Sequence, residues 1–299
     1  MADLCLIIVS YNTGSLLTRC LDSIRKQNEV DQRVIIVDNA SVDQTVELIR
    51  AGYPEVKLIA NTRNVGFAAA NNQAIAKIGK IEETPEGLLF FLNPDTELQP
   101  GCLIAARTFM TDHPEIGMAG PVILNKDGSV HQSVDDEYPG EHYSQGKFDE
   151  LPGDIAWLLG AALVARREAI ASVQGFDERF FLYAEDIDLC LEFRKQGWLL
   201  GVIPDAAVMH MEGQSELSAS YAEVMQRKIS AELLFLQKHY SKDTVARICR
   251  RRRLQAWWRL LFLWPTALSR NEIHRKKMIK YLTTARIYSR NKKHELGFG

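Results

Sequence analysis

The stretch FFLYAEDIDLC, Phe180 to Cys190, sets Glu185, Asp186 and Asp188 directly behind Phe180, Phe181, Leu182 and Tyr183. Removing an ionised carboxylate from water is costly, so acids are rarely buried without partners. Two readings suit the pattern. One is a plain helix start, where acids complement the positive end of the helix dipole. The other is a carboxylate held in an apolar pocket for a purpose. Polar residues follow apolar runs elsewhere too. Tyr11-Asn12 follows LCLIIVS, Asp38-Asn39 follows RVIIVD, Asn61 follows VKLIA and Asn93-Pro94-Asp95 follows LLFFL. Any one of these sets is ordinary loop chemistry. Four at corresponding positions predict one shared site.

The elements that must position these residues alternate. LCLIIVS (Leu4 to Ser10) is the continuous apolar run expected of a strand buried in a parallel sheet. Behind it, Leu16, Leu17, Cys20, Leu21 and Ile24 share one face of a helix. RVIIVD (Arg33 to Asp38) is a second strand, and Ser41 with Gln44 reads as a capping box for the helix that Gly52 and Pro54 end. VKLIA is a third strand, Gly66 to Ile78 a third helix, and LLFFL (Leu88 to Leu92) a fourth strand. Such alternation predicts an α/β fold with a parallel sheet covered on both faces. Ligands of these sheets lie at the carboxyl ends of the strands, where the polar sets fall. Residues 125–153 are rich in Gly, Pro, Asp, Glu, Ser and His and read as long polar loops of the kind that form a mobile lid. LLGVIP and AAVMH read as two short strands, and from Ser218 the pattern is helical to the end.

Composition sets further bounds. With 299 residues, 46% of them hydrophobic, the chain suffices for one large domain or a domain with an appendage. Five scattered cysteines (Cys5, Cys20, Cys102, Cys190, Cys249) contain no C-x-x-C pair. That argues against a disulfide framework or a zinc site and fits a reducing, cytoplasmic compartment. The N-terminus lacks the pattern of a secretory signal. Near the C-terminus the longest unbroken apolar run is Leu260 to Trp264, too short to span a bilayer. The net charge of −2 hides a division: residues 241–299 hold 16 Lys/Arg and 3 Asp/Glu, whereas residues 1–240 hold 20 and 35. This asymmetry predicts an anionic partner for the tail.

Taken together, VSYN (9–12), VDNASVD (37–43), NTRNVGFAAANN (61–72), FLNPDTEL (91–98), GFDERFFLYAEDIDLCLEFRKQGW (175–198) and PDAAVMH (204–210) resemble the inverting nucleotide-sugar glycosyltransferases of family 2. The resemblance covers roughly residues 4–240 and implies the GT-A fold, a Rossmann-like, mostly parallel sheet flanked by helices. The Asn-Pro-Asp-Thr and GFAAANN blocks look most like bacterial rhamnosyltransferases of surface-polysaccharide assembly. The expected organisation is a catalytic domain over 1–215, with a nucleotide-binding half (1–100) and an acceptor half (101–215). A basic helical region, 216–299, follows.

The resemblance also implies roles. Asp38 would hydrogen-bond the uracil or thymine edge of a UDP-sugar or dTDP-sugar, although DNAS is equally good Asx-turn sequence. Tyr11, Asn12, Asn39, Asp43, Asn64, Gly66, Phe67, Asn71 and Asn93 would complete the nucleoside pocket, with Gly66 permitting close backbone approach and Phe67 also suited to ordinary core. NPD stands where the family carries a D-x-D metal motif, and Asn93 replaces its first aspartate. Asp95, with His210, would then hold a divalent cation, Mn²⁺ or Mg²⁺, against the donor diphosphate. N-P-D-T is also a good β-turn, and a lone histidine ending a strand is often structural. Among the acids of the opening stretch, Asp186 would be the base that deprotonates the acceptor hydroxyl, with apolar neighbours raising its proton affinity. Glu185 and Asp188 would orient the loop or cap the helix. Glu192 departs from the family, whose members usually carry a basic residue there.

RRRR (Arg250 to Arg253) adjoins LQAWWRLLFLWP, which holds Trp257, Trp258 and Trp264. A basic helix with an aromatic, leucine-rich side suits an anionic membrane surface, met through residues 244–264; the alternative is a helix docked on its own domain with a solvated basic face. Nothing resembles a nucleic-acid-reading motif. The expected enzyme therefore moves a sugar, with rhamnose from dTDP-rhamnose the first choice, to a saccharide or lipid-linked acceptor at the inner face of the plasma membrane. The alternatives are a UDP-sugar-dependent hexosyl or N-acetylhexosaminyl transferase of the same fold, a sugar-nucleotide-making nucleotidyltransferase, and a non-catalytic membrane-associated sugar-nucleotide-binding scaffold. Residues 9–20 lack the Gly-rich phosphate loop that a nucleotidyltransferase would need.

Overall fold

The computed structural model describes residues 3–27, 30–79, 87–144, 146–211, 219–263 and 272–290. The first strands and helices alternate as β1 (Leu4–Ser10), α1 (Gly14–Arg25), β2 (Gln32–Asp38), α2 (Thr45–Gly52), β3 (Lys57–Ala60), α3 (Phe67–Gly79) and β4 (Leu88–Leu92). There follow β5 (Thr96–Leu98), α4 (Cys102–Asp112), β6 (Ile116–Leu124), β7 (Val130–His131), β8 (Val134–Asp135), β9 (Trp157–Leu158) and β10 (Ala162–Arg166). The chain continues through α5 (Arg167–Ser172), α6 (Glu185–Lys195), β11 (Leu199–His210), α7 (Tyr221–His239), α8 (Lys242–Leu263) and α9 (Glu272–Arg290).

Among the described residues, nine strands form one mixed sheet in the order β3-β2-β1-β4-β10-β6-β11-β5, with β7 on β6. The strands β3, β2, β1 and β4 run parallel, as do β6 and β11, whereas β10 is antiparallel to β4 and β6. Every residue of β1 is buried because β1 lies between β2 and β4 with a core on each face. Leu4, Leu6 and Ile8 pack on one side with Leu17, Leu21 and Ile24 of α1 and Leu103 of α4. Cys5, Ile7 and Val9 pack on the other with Ala70 and Ala74 of α3 and Leu189 and Phe193 of α6. Each such buried aliphatic or aromatic side chain contributes roughly 1.5–3 kcal/mol. This is the α/β architecture that the apolar runs predict. All five cysteines are buried.

The chain divides into two compact units: Met1–Tyr138, Glu150–Phe181 and Glu185–Ser215 in the first, and Pro139–Asp149, Leu182–Ala184 and Glu216–Gly299 in the second. The first contains the sheet. In the second, α7 opens on a capping box in which Ser220 Oγ accepts from Glu223 N at 3.3 Å and Ser220 N donates to Glu223 Oε2 at 2.8 Å. Tyr240 Oη donates to Pro139 O at 2.9 Å, and Gly140 leaves room for Leu236 and Ile248. No described helix is long and apolar enough to cross a membrane. Ser218 and Trp264 lie outside the described residues.

Three expectations about local structure need correction. LLGVIP and AAVMH are one strand, β11, whose pairing with β6 slips between Ile203 and Ala207; the polar Pro204-Asp205 step is a bulge, not a chain reversal. Ser41 and Gln44 form no capping box, because Ser41 is spent on Asp38 and the cap residue Gln44 makes no side-chain bond. Asp43 serves the helix start instead, accepting from Thr45 N at 3.1 Å. Residues 125–153 are also not all loop, since β7 and β8 lie within them.

Candidate active site

Because β1, β2 and β4 are parallel, the residues after them emerge on one edge of the sheet. Asp38, 1% exposed, accepts from Ser41 N at 3.0 Å and Ser41 Oγ at 2.5 Å, an Asx turn that presents a buried carboxylate at the end of β2. The turn is tied to the end of β1: Asn12 N donates to Ser41 Oγ at 2.8 Å, and Asn12 Oδ1 accepts from Val42 N at 2.8 Å. Asn12 takes φ 54°, a left-handed conformation that asparagine tolerates. Asp43 bridges the starts of both following helices, because its other oxygen accepts from Gly14 N at 3.4 Å. Tyr11, next to Asn12, is exposed.

Asn39 is the pin of the next loop. Its amide donates to Asn64 Oδ1 (2.9 Å) and Gly66 O (3.1 Å), and its oxygen accepts from Asn61 Nδ2 (3.2 Å) and Val65 N (3.0 Å). All four of its hydrogen-bonding positions are thus spent on shaping residues 61–66. Gly66 is left-handed at φ 91°, and a Cβ there would lie 2.8 Å from Phe181, whose carbonyl accepts from Phe67 N at 2.7 Å. Asn71 is buried and donates to Phe67 O, while the Phe67 ring packs edge-on to Phe176.

At the end of β4 the NPDT segment is a turn, closed by Thr96 Oγ1 donating to Asn93 O at 2.7 Å. It is more than a turn. Asp95 is 2% exposed, and both its carboxylate oxygens lack a hydrogen-bond partner. His210 Nε2, from the end of β11, stands 3.3 Å from Asp95 Oδ1, and the other ring nitrogen, Nδ1, is likewise buried without a partner. An unsatisfied buried carboxylate costs several kcal/mol unless a cation compensates it. A carboxylate oxygen and an imidazole nitrogen 3.3 Å apart are ligand types that suit a divalent metal, so these two residues fit the expected cation.

The opening acids begin α6, after two left-handed residues, Tyr183 (φ 74°) and Ala184 (φ 62°). Backbone strain of this kind persists only where surrounding structure enforces it. Asp186 Oδ2 accepts from Gly160 N at 2.9 Å and Oδ1 from Ile187 N at 2.9 Å. Loss of water raises the Asp186 carboxyl above its ordinary 3.8, against the opposing pull of those two N–H groups. Glu185 is buried with Oε2 unpartnered; burial first and the charge of Asp186 second push its carboxyl well above the ordinary 4.5. Asp188 is buried at the same helix start.

Two positions that the sequence reading passed over organise this site. Gly160-Ala161 joins its halves: Gly160 N binds Asp186, and Ala161 O accepts from Asn93 N at 2.9 Å. Its only trace in the sequence is a glycine inside the apolar run IAWLLGAALVA. Asn72 braces the loop before α6, donating to Phe176 O at 2.8 Å and Glu178 Oε1 at 3.0 Å and accepting from Phe176 N at 2.9 Å. A paired Asn-Asn in a helix, outside any cap, was the available signal for Asn72.

A mixed sheet whose parallel strands β2 and β4 end in acidic turns, with a carboxylate at the start of a buried helix, describes a nucleotide-sugar glycosyltransferase of the GT-A type. The chain belongs to glycosyl transferase family 2, whose model matches residues 5–173. It is 29% identical over 283 residues to N-acetylglucosaminyl-diphospho-decaprenol L-rhamnosyltransferase of Mycobacterium tuberculosis, covering 86% of this chain and 87% of that one. It is 25% identical to the dTDP-rhamnosyl transferase RfbF of Shigella flexneri over 217 residues, 71% of this chain and 70% of the relative. Among solved structures, the mannosyltransferase PcManGT of Pyrobaculum calidifontis, in complex with GDP-Man and Mn²⁺, superposes with a TM-score of 0.59 at 17% identity, covering 97% of this chain and 88% of that one.

Proposed function

We propose that the protein is an inverting, metal-dependent rhamnosyltransferase that takes its sugar from dTDP-rhamnose and transfers it to a saccharide or lipid-linked acceptor in bacterial surface-polysaccharide synthesis. The observation that carries the metal-dependent diphosphate chemistry is Asp95, a buried carboxylate with both oxygens unpartnered and His210 at 3.3 Å. The rhamnosyl assignment leans on the two rhamnosyltransferase relatives.

In this reading the acceptor hydroxyl attacks the anomeric carbon from the face opposite the diphosphate. The new C–O bond forms as the bond to the diphosphate breaks, so the anomeric configuration inverts. Asp186 takes the hydroxyl proton; its raised proton affinity suits that task near neutral pH. Glu185 and Asp188 hold the helix start, and burial together with the charge of Asp186 raises the proton affinity of Glu185. Asp38 accepts the imide N–H of thymine or uracil. Tyr11, Asn12, Asn39, Asp43, Asn64, Gly66, Phe67, Asn71 and Asn93 line or brace the nucleoside pocket. Asp95 and His210 would hold Mn²⁺ or Mg²⁺, which when bound supplies positive charge to the leaving diphosphate. The enzyme acts as a peripheral protein on the inner face of the plasma membrane, where lipid-linked acceptors are found.

The test is a donor panel offered to the purified protein with and without Mn²⁺ or Mg²⁺: dTDP-rhamnose, UDP-glucose, UDP-N-acetylglucosamine and GDP-mannose. Turnover of dTDP-rhamnose alone supports the reading. Preference for a UDP-sugar moves the assignment to a hexosyl or N-acetylhexosaminyl transferase. Equal turnover of GDP-mannose removes the pyrimidine role of Asp38, and full turnover in excess EDTA removes the metal.

A further inference from the structure

Helix α8 is apolar on two opposite faces, and the second unit covers only one of them. Val245, Ile248, Cys249, Ala256 and Leu260 are buried. Leu254, Trp257, Trp258, Leu261 and Phe262 are between 54% and 68% exposed. At about 100° per residue these five fall within an arc of about 140°, on the side away from the buried set. Soluble surfaces rarely carry five large apolar side chains in one contiguous stripe, two of them tryptophans. Arg247, Arg250 and Arg251 lie within the same arc in the preceding turns and are exposed, although the Arg251 guanidinium also stands 5.5 Å from the Tyr143 ring.

We infer that the exposed stripe of α8 is a docking surface for a bilayer containing anionic lipid, with the helix lying in the plane of the interface. Three observations favour this occupant. Tryptophan beside arginine is the composition of the headgroup region, where an indole keeps one apolar face and one polar edge satisfied. The arginines sit at one end of the stripe, where their long stems can follow the apolar surface while their charged heads reach lipid phosphates. A second copy is the poorer occupant: a parallel two-fold contact through this face would set the arginines against their own copies, and an antiparallel one would press them on the other copy's apolar end without a counter-charge. The four-arginine run does not act as one block: Arg252 is turned toward the helix core and pairs with Glu232 at 3.2 Å, so the lipid-facing charge comes from Arg250 and its exposed neighbours. This inference does not rest on the donor or the reaction.

Flotation of the full-length protein with phosphatidylcholine vesicles, with and without phosphatidylglycerol, tests it. The protein should float with the anionic vesicles and leave them at high salt. Tryptophan emission should shift to the blue on binding and be quenched by lipids brominated near the headgroup. Trp257→Ser combined with Leu261→Ser should lower the partition coefficient by about tenfold or more, with an unchanged circular dichroism spectrum and unchanged turnover of a water-soluble acceptor. Arg250→Gln with Arg251→Gln should lower binding to anionic vesicles alone. The inference is overturned if the Trp257/Leu261 variant floats like the wild type, if neutral and anionic vesicles bind equally, or if the protein ignores both and light scattering shows a dimer that the same substitutions dissociate.

Discussion

The backbone N–H of Gly160 donates to Asp186 Oδ2 at 2.9 Å, and a Cβ at position 160 would stand 3.0 Å from both Cβ and Oδ2 of Asp186. The carboxylate is therefore held by a donor that can approach only because the residue has no side chain. Gly160→Ala keeps the N–H but displaces the carboxylate by a few tenths of an ångström. We expect kcat to fall about tenfold, in line with the sensitivity of proton transfer to placement, with donor affinity unchanged by calorimetry. A variant with wild-type kcat would show that this contact does not position the base.

Asp186→Asn should lower kcat by ~10²–10⁴-fold, the usual worth of a general base, while UDP or dTDP binding stays within a few-fold. With Asp186 as the proposed base, kcat requires its ionised form and should fall as pH drops through its pKa. Desolvation raises that pKa above 3.8, so the acid limb of the kcat profile should lie above that of an ordinary aspartate. A limb no higher than that would point to a different base.

Glu185 bears on stability. Its folded pKa is raised from 4.5, so the native state binds more protons than the unfolded chain above that pH. Stability is consequently lost as pH rises from about 4.5 toward the folded value. Glu185→Gln removes the titrating group and should stabilise the fold at pH 7 relative to wild type by about 1–3 kcal/mol, the scale of a buried unsatisfied polar group. The two proteins should converge at acid pH. Denaturant titrations at both pH values measure this, and a variant less stable at pH 7 would contradict it.

Asp95 makes a prediction that needs no turnover. Without metal its two unpartnered oxygens are a cost, so metal-free Asp95→Asn should have a higher Tm than metal-free wild type. Mn²⁺ should raise the wild-type Tm and leave the variant unmoved. An equal Mn²⁺ response in both proteins would remove Asp95 from the metal site.

Asp38→Ala should weaken dTDP and UDP binding and also cost about 1–2 kcal/mol of stability, since it deletes the acceptor of the Ser41 turn. Ser41→Ala separates the two effects. It loosens the turn but leaves the carboxylate, so calorimetry should find nucleotide affinity closer to wild type than in Asp38→Ala. The reverse order would make the turn, and not the carboxylate, the recognition element.

Much of this protein is set by local pattern. The unbroken apolar runs of β1, β2 and β4 specify buried parallel strands whatever the rest of the chain does, because no other common element buries both faces of so short a segment. The polar sets after them then fall on one edge, which is why Asp38, Asn39 and Asp95 could be read as a group. Other features needed the fold. A bulge at Pro204-Asp205 resembles a chain reversal in sequence, and only pairing with β6 shows β11 to be continuous. Ser41 had to choose between a helix cap and Asp38, a choice made by the approach of Asn12 from another strand. The pairing of Asp95 with His210, and of Asp186 with Gly160, spans residues distant in the chain. Hydrogen bonds and desolvation act over a few ångströms of space, so the burial that raises the Asp186 pKa, and the Gly160 N–H that opposes the rise, exist only once the fold has brought these residues together.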